Sequence, residues 1–290
     1  MNRARIAMIA LPVAVFLAVG VVVSVLRHNA AYLALFALMG AAGAACSQAH
    51  RVLGRRVLLF RRALHWGLSL FFFIYLMMIV GVNFHLSQVF FDAMAWVVTG
   101  ALIQLVVARV LLPFFFGNGF CSTCCWNGAV FDLLPRRGRR RLPAWTRWLP
   151  YAVIPATLGI AFLFRLGGVD PVEHLAVRRN WMLAENGVIF LVGIGLAPAF
   201  GGRLYCRAVC PLRAISRLFA RYSAVKIGLK EGAACRRCGA CEAACPFEVP
   251  VARYVGVGQR VIARDCTLCE KCVAACPDGS LALTLGRPWA

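Results

Sequence analysis

Between Cys235 and Pro277 one cysteine pattern occurs twice, and this repeat constrains the fold more than any other stretch of the chain. The first copy reads Cys235-Arg-Arg-Cys238-Gly-Ala-Cys241-Glu-Ala-Ala-Cys245-Pro246. The second reads Cys266-Thr-Leu-Cys269-Glu-Lys-Cys272-Val-Ala-Ala-Cys276-Pro277. Each is C-x2-C-x2-C-x3-C-P, the run that ligates a [4Fe–4S] cube. Three closely spaced thiolates on a tight loop can wrap three corners of one cube, and the fourth cysteine completes the cube of the opposite repeat. The spacing assigns Cys235, Cys238, Cys241 and Cys276 to one cluster, and Cys266, Cys269, Cys272 and Cys245 to the other. Zinc ribbons use two CxxC pairs and have no role for a third cysteine followed by x3-C-P. A disulfide knot leaves the duplicated spacing without a reason.

The rest of the chain is too apolar for an ordinary soluble domain. Of 290 residues 61% are hydrophobic and 15% charged, with a mean hydropathy of +0.76; soluble domains are about half apolar. The net charge of +21 comes from arginines in short clusters between apolar runs. That is the pattern of membrane topology, not of a nucleic-acid surface, so nucleic acid is excluded as a partner. Eight of the fourteen cysteines are taken by clusters, whose thiolates need a reducing compartment during assembly. The C-terminal part is therefore expected in the cytoplasm.

Read in order, the chain predicts six spans, with four as the alternative. Ile6–Leu26 is uncharged and follows Arg3 and Arg5, so it enters from the inside; a signal peptide would have a shorter apolar region and a small-x-small cleavage site. Residues 30–48 return. Arg51, Arg55, Arg56, Arg61 and Arg62 mark an inner segment, and the third span is expected over 63–84. The segment from His85 to Asp92 reads as an outer loop. Span four covers 93–116, with Arg109 expected to snorkel to the inner surface. The basic segment 117–147 carries Arg136, Arg137, Arg139, Arg140 and Arg141 and should attract anionic lipid headgroups. Span five covers 148–166. Asp170, Glu173, His174, Arg178, Arg179 and Glu185 belong to an outer loop over 167–186, and 187–200 forms a short sixth span, which reaches adequate length if 181–186 joins the same helix. From Pro211, apolar residues at helical spacing alternate with Arg213, Arg217 and Arg221, which predicts a helix lying on the inner leaflet.

Two further cysteine pairs sit where spans four and six emerge inside. They are Phe120-Cys121-Ser-Thr-Cys124-Cys125-Trp126 and Tyr205-Cys206-Arg-Ala-Val-Cys210-Pro211. Both contain an aromatic residue followed by C-x3-C, so the membrane part also looks duplicated. Cys121, Cys125, Cys206 and Cys210 could bind a metal or a further cluster, or act as two redox dithiols. Cys46 reads as a small buried residue.

With these pairs ahead of two [4Fe–4S] motifs, the chain resembles the NapH/MauN family of membrane ferredoxin-type proteins, and more distantly the NosR- and CcoG-type polyferredoxins. The resemblance runs from about Ala93 to the C-terminus. The chain departs from the pattern in having Cys125-Trp126 where the family has Cys-Pro, an extra thiol at Cys124, and an additional N-terminal hairpin. The implied fold is an α-helical integral membrane bundle followed by a small α+β bacterial-type 2[4Fe-4S] ferredoxin domain. Expected boundaries are 1–204 for the transmembrane part, 205–230 for the second C-x3-C-P motif and interfacial helix, and 231–290 for the ferredoxin-like unit.

The resemblance implies electron transfer in a bacterial inner membrane, with N-terminus and ferredoxin unit cytoplasmic. Electrons would come from quinol and pass, often through another iron–sulfur protein, to a periplasmic redox system, nitrate reductase-like or associated with methylamine dehydrogenase. The chain would then be a quinol dehydrogenase subunit. The alternative is a maturation factor supplying electrons for cofactor or metal-centre assembly; a cysteine-based sensor would not need eight cluster ligands. Quinol oxidation requires proton acceptors near a membrane surface, and His85, Asp92, Glu173, His174 and Glu185 are the available groups. The histidines (His28, His50, His65, His85 and His174) form no haem pair, and no dinucleotide fingerprint occurs.

Overall fold

A computed structural model of the chain describes residues 3–82, 84–135, 142–168 and 175–286. The two N-terminal apolar runs form a helical hairpin, α1 (Arg3–Arg27) and α2 (Ala31–Leu53). The turn between them bends at His28 (φ 48), and the Asn29 side chain accepts from the Ala31 N–H at 2.9 Å, which starts α2. Glycines let the two helices meet. A Cβ on Gly43 would lie 2.9 Å from Pro12 Cβ, and one on Gly20 2.9 Å from Phe36 Cβ. Small residues at such contacts substitute for the hydrophobic drive that lipid removes.

The next helix is shifted toward the N-terminus of the chain relative to the span expected over 63–84. α3 begins at Val57, not near Ala63, and continues through wide π-helical turns to Ile79. Arg61, His65 and Ser69 recur every four residues on one face, and all are buried. Arg61 therefore belongs to the helix and is no loop cation, because its partner Glu270 lies inside the protein at 2.6 Å.

The expected outer loop after α3 is instead folded inward. Phe84 packs on Phe72 and on Trp126, with ring centroids 5.6 Å away in each case, and carries His85 deep between the helices. α4 (Leu86–Met94) then leads back to Phe91, whose ring packs edge-on against Phe164 at 6.0 Å. His85 and Asp92 are buried, at 6% and 0% exposure, and are not solvated loop residues. The Asp92 carboxylate accepts from Gln88 and from the Thr99 hydroxyl.

Thr99 also breaks the expected fourth span. Its side chain accepts from Ala101 N at 3.1 Å and caps a new helix, α5 (Gly100–Phe116), after a left-handed residue at Trp96 (φ 56). Two very short helices follow, α6 (Phe120–Thr123) and α7 (Trp126–Phe131), then α8 (Leu149–Leu166) and α9 (Leu175–Gly195). The arginine run 136–141 and Asp170, Glu173 and His174 lie outside the described residues.

Among the described residues, four helices are long and apolar enough to cross a membrane: Ile6–Arg27, Ala31–Ala49, Val57–Ile79 and Leu149–Leu166. α5 is apolar but shorter, and α9 carries Arg178, Arg179 and Glu185 within its 21 residues. These two stand where spans four and six were expected.

The C-terminal unit is built on one antiparallel pair, β1 (Val225–Leu229) and β2 (Leu281–Leu285), in the register Val225↔Leu285 to Leu229↔Leu281. This pairing draws 225–229 into the unit, ahead of the boundary expected at 231. Ile227, Val251, Val255, Val261, Val273 and Leu281 are buried together as its core. Met8 of α1 joins the same cluster, so the N-terminal end of α1 and the C-terminal unit lie at one end of the helices.

Candidate metal centres

The two repeats fold alike because both bend the backbone at the same places. Arg237 (φ 55) and Leu268 (φ 54) precede the second cysteine of each repeat, and Gly239 (φ 76) and Glu270 (φ 58) follow it. Left-handed conformations at non-glycine positions cost about 1–2 kcal/mol each. Glu270 is held there by the buried ion pair with Arg61, which also donates to Leu268 O at 2.8 Å. The bends fold the cysteines inward. Cys235, Cys238, Cys241 and Cys276 line one cavity at the far end of the unit, where Cys238 is exposed. Cys266, Cys269, Cys272 and Cys245 lie near one another as a second set, and the loop bearing Cys266 faces the helices.

The C-x3-C segments also match in backbone geometry. In the first, the N–H groups of Cys124 and Cys125 both donate to Phe120 O; in the second, those of Val209 and Cys210 both donate to Tyr205 O. Cys124 (φ −128) corresponds to Val209 (φ −124), and Cys125 (φ −77, ψ 115) to Cys210 (φ −60, ψ 110). Trp126 thus opens α7 where Pro211 opens the later helix, α12 (Pro211–Ala220), which follows α10 (Ala197–Phe200) and α11 (Leu204–Ala208). Cys121, Cys125, Cys206 and Cys210 line one small cavity between α5, α7 and α11.

Cys124 is turned the other way and shares a different cavity with Cys46. Cys124→Ser is accordingly expected to leave iron content and activity unchanged within error. Iron analysis of the purified variant checks this.

Two buried arginines flank the four thiols. Arg109 does not snorkel: it is 3% exposed, donates to Cys121 Sγ at 3.3 Å, and stacks over Phe120 at 4.5 Å. Arg203 joins the halves. It pairs with Asp132 at 2.7 Å, donates to Cys121 O at 3.3 Å, and approaches Cys206 Sγ at 3.7 Å. Gly128 makes room for it, since a Cβ there would lie 2.7 Å from Arg203 Nη1 and 2.6 Å from Cys121 O. His65 adds a contact of 3.0 Å from Nε2 to Cys125 O. A cation inside an apolar run was the available signal for Arg109; nothing in the local sequence marked Arg203.

The C-terminal unit is fastened directly onto this cavity. Ser122 donates to Thr267 O at 2.6 Å, and Asn118 donates to Arg264 O at 2.6 Å. Both contacts tie the Cys121 loop to the loop bearing Cys266. Lys271 reaches the same Asp132 carboxylate at 2.7 Å. The α12 arginines complete the seam: Arg213 and Arg217 both pair with Asp265, and Arg213 lies over the Phe247 ring at 4.6 Å. With Arg213 3% exposed, α12 is wedged between the two parts and does not lie freely on a leaflet.

No set of three or more His, Cys, Asp or Glu side chains among the described residues closes around a single metal ion. A cube presents separate corners, and groups of four cysteines around a cavity suit it as donors.

The profile described as "4Fe-4S dicluster domain" matches residues 234–281, and "4Fe-4S binding domain" matches residues 98–144 and 183–230, which contain the two C-x3-C pairs. Among curated relatives, the putative electron transport protein YccM of Escherichia coli is 27% identical over 66% of this chain and 58% of its own length. The ferredoxin-type protein NapH of Haemophilus influenzae is 28% identical over 61% of this chain and 66% of its own. The methylamine utilization ferredoxin-type protein MauN of Paracoccus denitrificans is 32% identical over 49% of this chain and 54% of its own. No solved structure matches. The profiles fall on the duplicated loops and the double cluster motif, and together with the similarity to NapH and MauN they support a NapH/MauN-like family membership.

Proposed function

We propose that this iron–sulfur electron-transfer protein takes electrons from quinol in a bacterial inner membrane. It passes them, through another iron–sulfur protein, to a periplasmic redox system. The observation that carries the reading is the order of its thiols. A four-cysteine cavity lies at the ends of the apolar helices, a second set in the loop hydrogen-bonded to it, and a third set reaches the exposed Cys238.

The ligands are Cys235, Cys238, Cys241 and Cys276 for one [4Fe–4S] cluster and Cys245, Cys266, Cys269 and Cys272 for the other. Cys121, Cys125, Cys206 and Cys210 hold a further iron–sulfur centre. When bound, the cubes supply one-electron carriers. Burial pushes the thiols of Cys210 and Cys266 up to about 12 and that of Cys125 to about 11. Such groups remain protonated when bare, and metal binding is what ionises them. Arg109 and Arg203 place positive charge beside the thiolates that result. Ser122, Asn118 and the arginines of α12 keep the C-terminal unit from moving off the cavity. The N-terminal end of α1 lies beside this unit, which supports placing both in the cytoplasm.

Anaerobic purification should yield about eight irons per chain from two cubes, and about twelve if the membrane-end thiols hold a third. A reduced short-chain quinol should then produce the electron paramagnetic resonance signals of reduced clusters. Bound zinc without iron would sink the cluster assignment. Reduction by dithionite but never by quinol would retire the quinol donor.

A further inference from the structure

Two large cavities open sideways from the helices, and each borders the four-thiol cavity. One, of about 500 Å³, lies between α2, α3 and α5 and is lined by aromatic residues together with Gln104. The other, of about 370 Å³, lies between α4, α8, α9 and the start of α12. Both are within the range of small-molecule sites. Chemistry separates them. The larger has no acid or imidazole in its wall, whereas the smaller is lined by His85 and Glu185.

These two form a pair, His85 Nδ1 to Glu185 Oε1 at 3.1 Å, with His85 buried and Glu185 half-buried, and Ser87 donates to Glu185 Oε2 at 2.7 Å. Ionisable groups among apolar helices are expensive, and they mark functional sites more often than structural ones. The remaining wall is mostly apolar, with Val153, Ile160, Trp181, Val188 and Val192, and adds the hydroxyl-bearing Thr157 and Tyr205. Val188 is 61% exposed and Ile160 42%, so the mouth faces the surroundings of the helices. At the inner end Tyr205 and Leu212 belong to both this cavity and the four-thiol one, and Tyr205 directly precedes Cys206.

We propose that the cavity between α4, α8 and α9 binds the quinol ring, with the His85–Glu185 pair as hydrogen-bond partner and proton acceptor for its hydroxyls. This rests on the reading of quinol as electron donor. The ligand class follows from the wall. An apolar channel open at the side suits an isoprenoid tail, and a polar pair at the inner end suits a ring bearing two oxygens. Oxidation of a hydroquinone to a quinone breaks two O–H bonds and releases two protons and two electrons. The two protons would go one each to the His85 imidazole and the Glu185 carboxylate. The electrons would leave singly, the first passing from the iron–sulfur centre proposed at Cys121, Cys125, Cys206 and Cys210 to a C-terminal cluster before the second arrives. The inward fold of 84–94, which buries His85, is what builds the site.

The test is photolabelling of the purified full-length protein with an azido-substituted quinone, followed by peptide mapping. Label is expected within 175–195 or 205–212, competed by excess unlabelled quinone. Glu185→Gln should weaken that competition about tenfold, the value of a hydrogen bond to a charged group. Val188→Trp should block labelling by filling the channel without touching the pair. The visible absorption of the clusters reports that each variant is folded. Competed label on 31–39 or 71–84 would place the quinone around Gln104, overturning this site while leaving quinol as donor. No competed label anywhere would remove the quinol reading itself.

Discussion

Cys121→Ser and Cys206→Ser are each expected to lower quinol-driven reduction of the C-terminal clusters on the order of a hundredfold, with the double variant little worse. Even outer-shell changes at metal sites cost 10- to 100-fold, so loss of a ligand should reach at least the upper end of that range. The expectation of non-additivity is structural. The two residues come from different halves of the chain yet line one cavity, with Arg203 touching the backbone of one and the sulfur of the other. Members of one working unit fail together. Their removal should leave about eight irons in place, because the proposed cluster ligands between Cys235 and Cys276 lie elsewhere. Stopped-flow reduction and iron analysis on the three variants decide the matter. Losses that multiply in the double variant would mean two independent dithiols.

Asp132→Asn should destabilise the protein by about 3–5 kcal/mol, the usual result of removing one partner from a buried ion pair. This carboxylate receives Arg203 through both oxygens and Lys271 through one, while Arg203 is 3% exposed. The variant leaves that guanidinium without its counter-charge and loosens the C-terminal unit where it meets α7. The effect depends on pH in a defined direction. Burial alone would raise the Asp132 carboxyl, but Arg203 and Lys271 outweigh it and hold the group well below the usual range. A depressed folded-state value stabilises fully above the ordinary aspartate value of about 3.9, and the contribution fades as pH falls further. The difference between wild type and variant should therefore stay constant from neutral pH to about 4 and shrink only below it. Denaturant unfolding at several pH values, followed through cluster absorbance, measures this; a difference that already shrinks between pH 7 and 5 would contradict it.

The iron–sulfur character of residues 234–281 was legible in the sequence because the spacing of the cysteines is specific to such clusters. The match between Cys121–Cys125 and Cys206–Cys210 was also visible, and it reappears as shared backbone hydrogen bonds. What the apolar pattern could not show was depth. The segment from His85 to Asp92 carries no Lys or Arg and so reads as an outer loop, yet hydropathy cannot distinguish a loop in water from one folded back among helices. The break at Thr99 did leave a trace, a capping threonine followed by glycine, which the count of apolar residues overrode. Arg61, Arg109 and Arg213 were read as surface cations because their partners, Glu270, Cys121 and Asp265, are distant in sequence or chemically unusual.

The four-thiol cavity takes two walls from each half of the chain, and this has a consequence for biogenesis. When the ribosome has finished α7, Cys121 and Cys125 face an incomplete socket, which closes only after α8 and α9 are in place and Cys210 has been translated. On the proposed assignment the Cys235 cluster waits longer still, for Cys276. On that assignment no centre has its full ligand set while the chain is still being threaded into the bilayer, so iron delivery would follow insertion, and a misinserted chain would lack a complete socket to accept it.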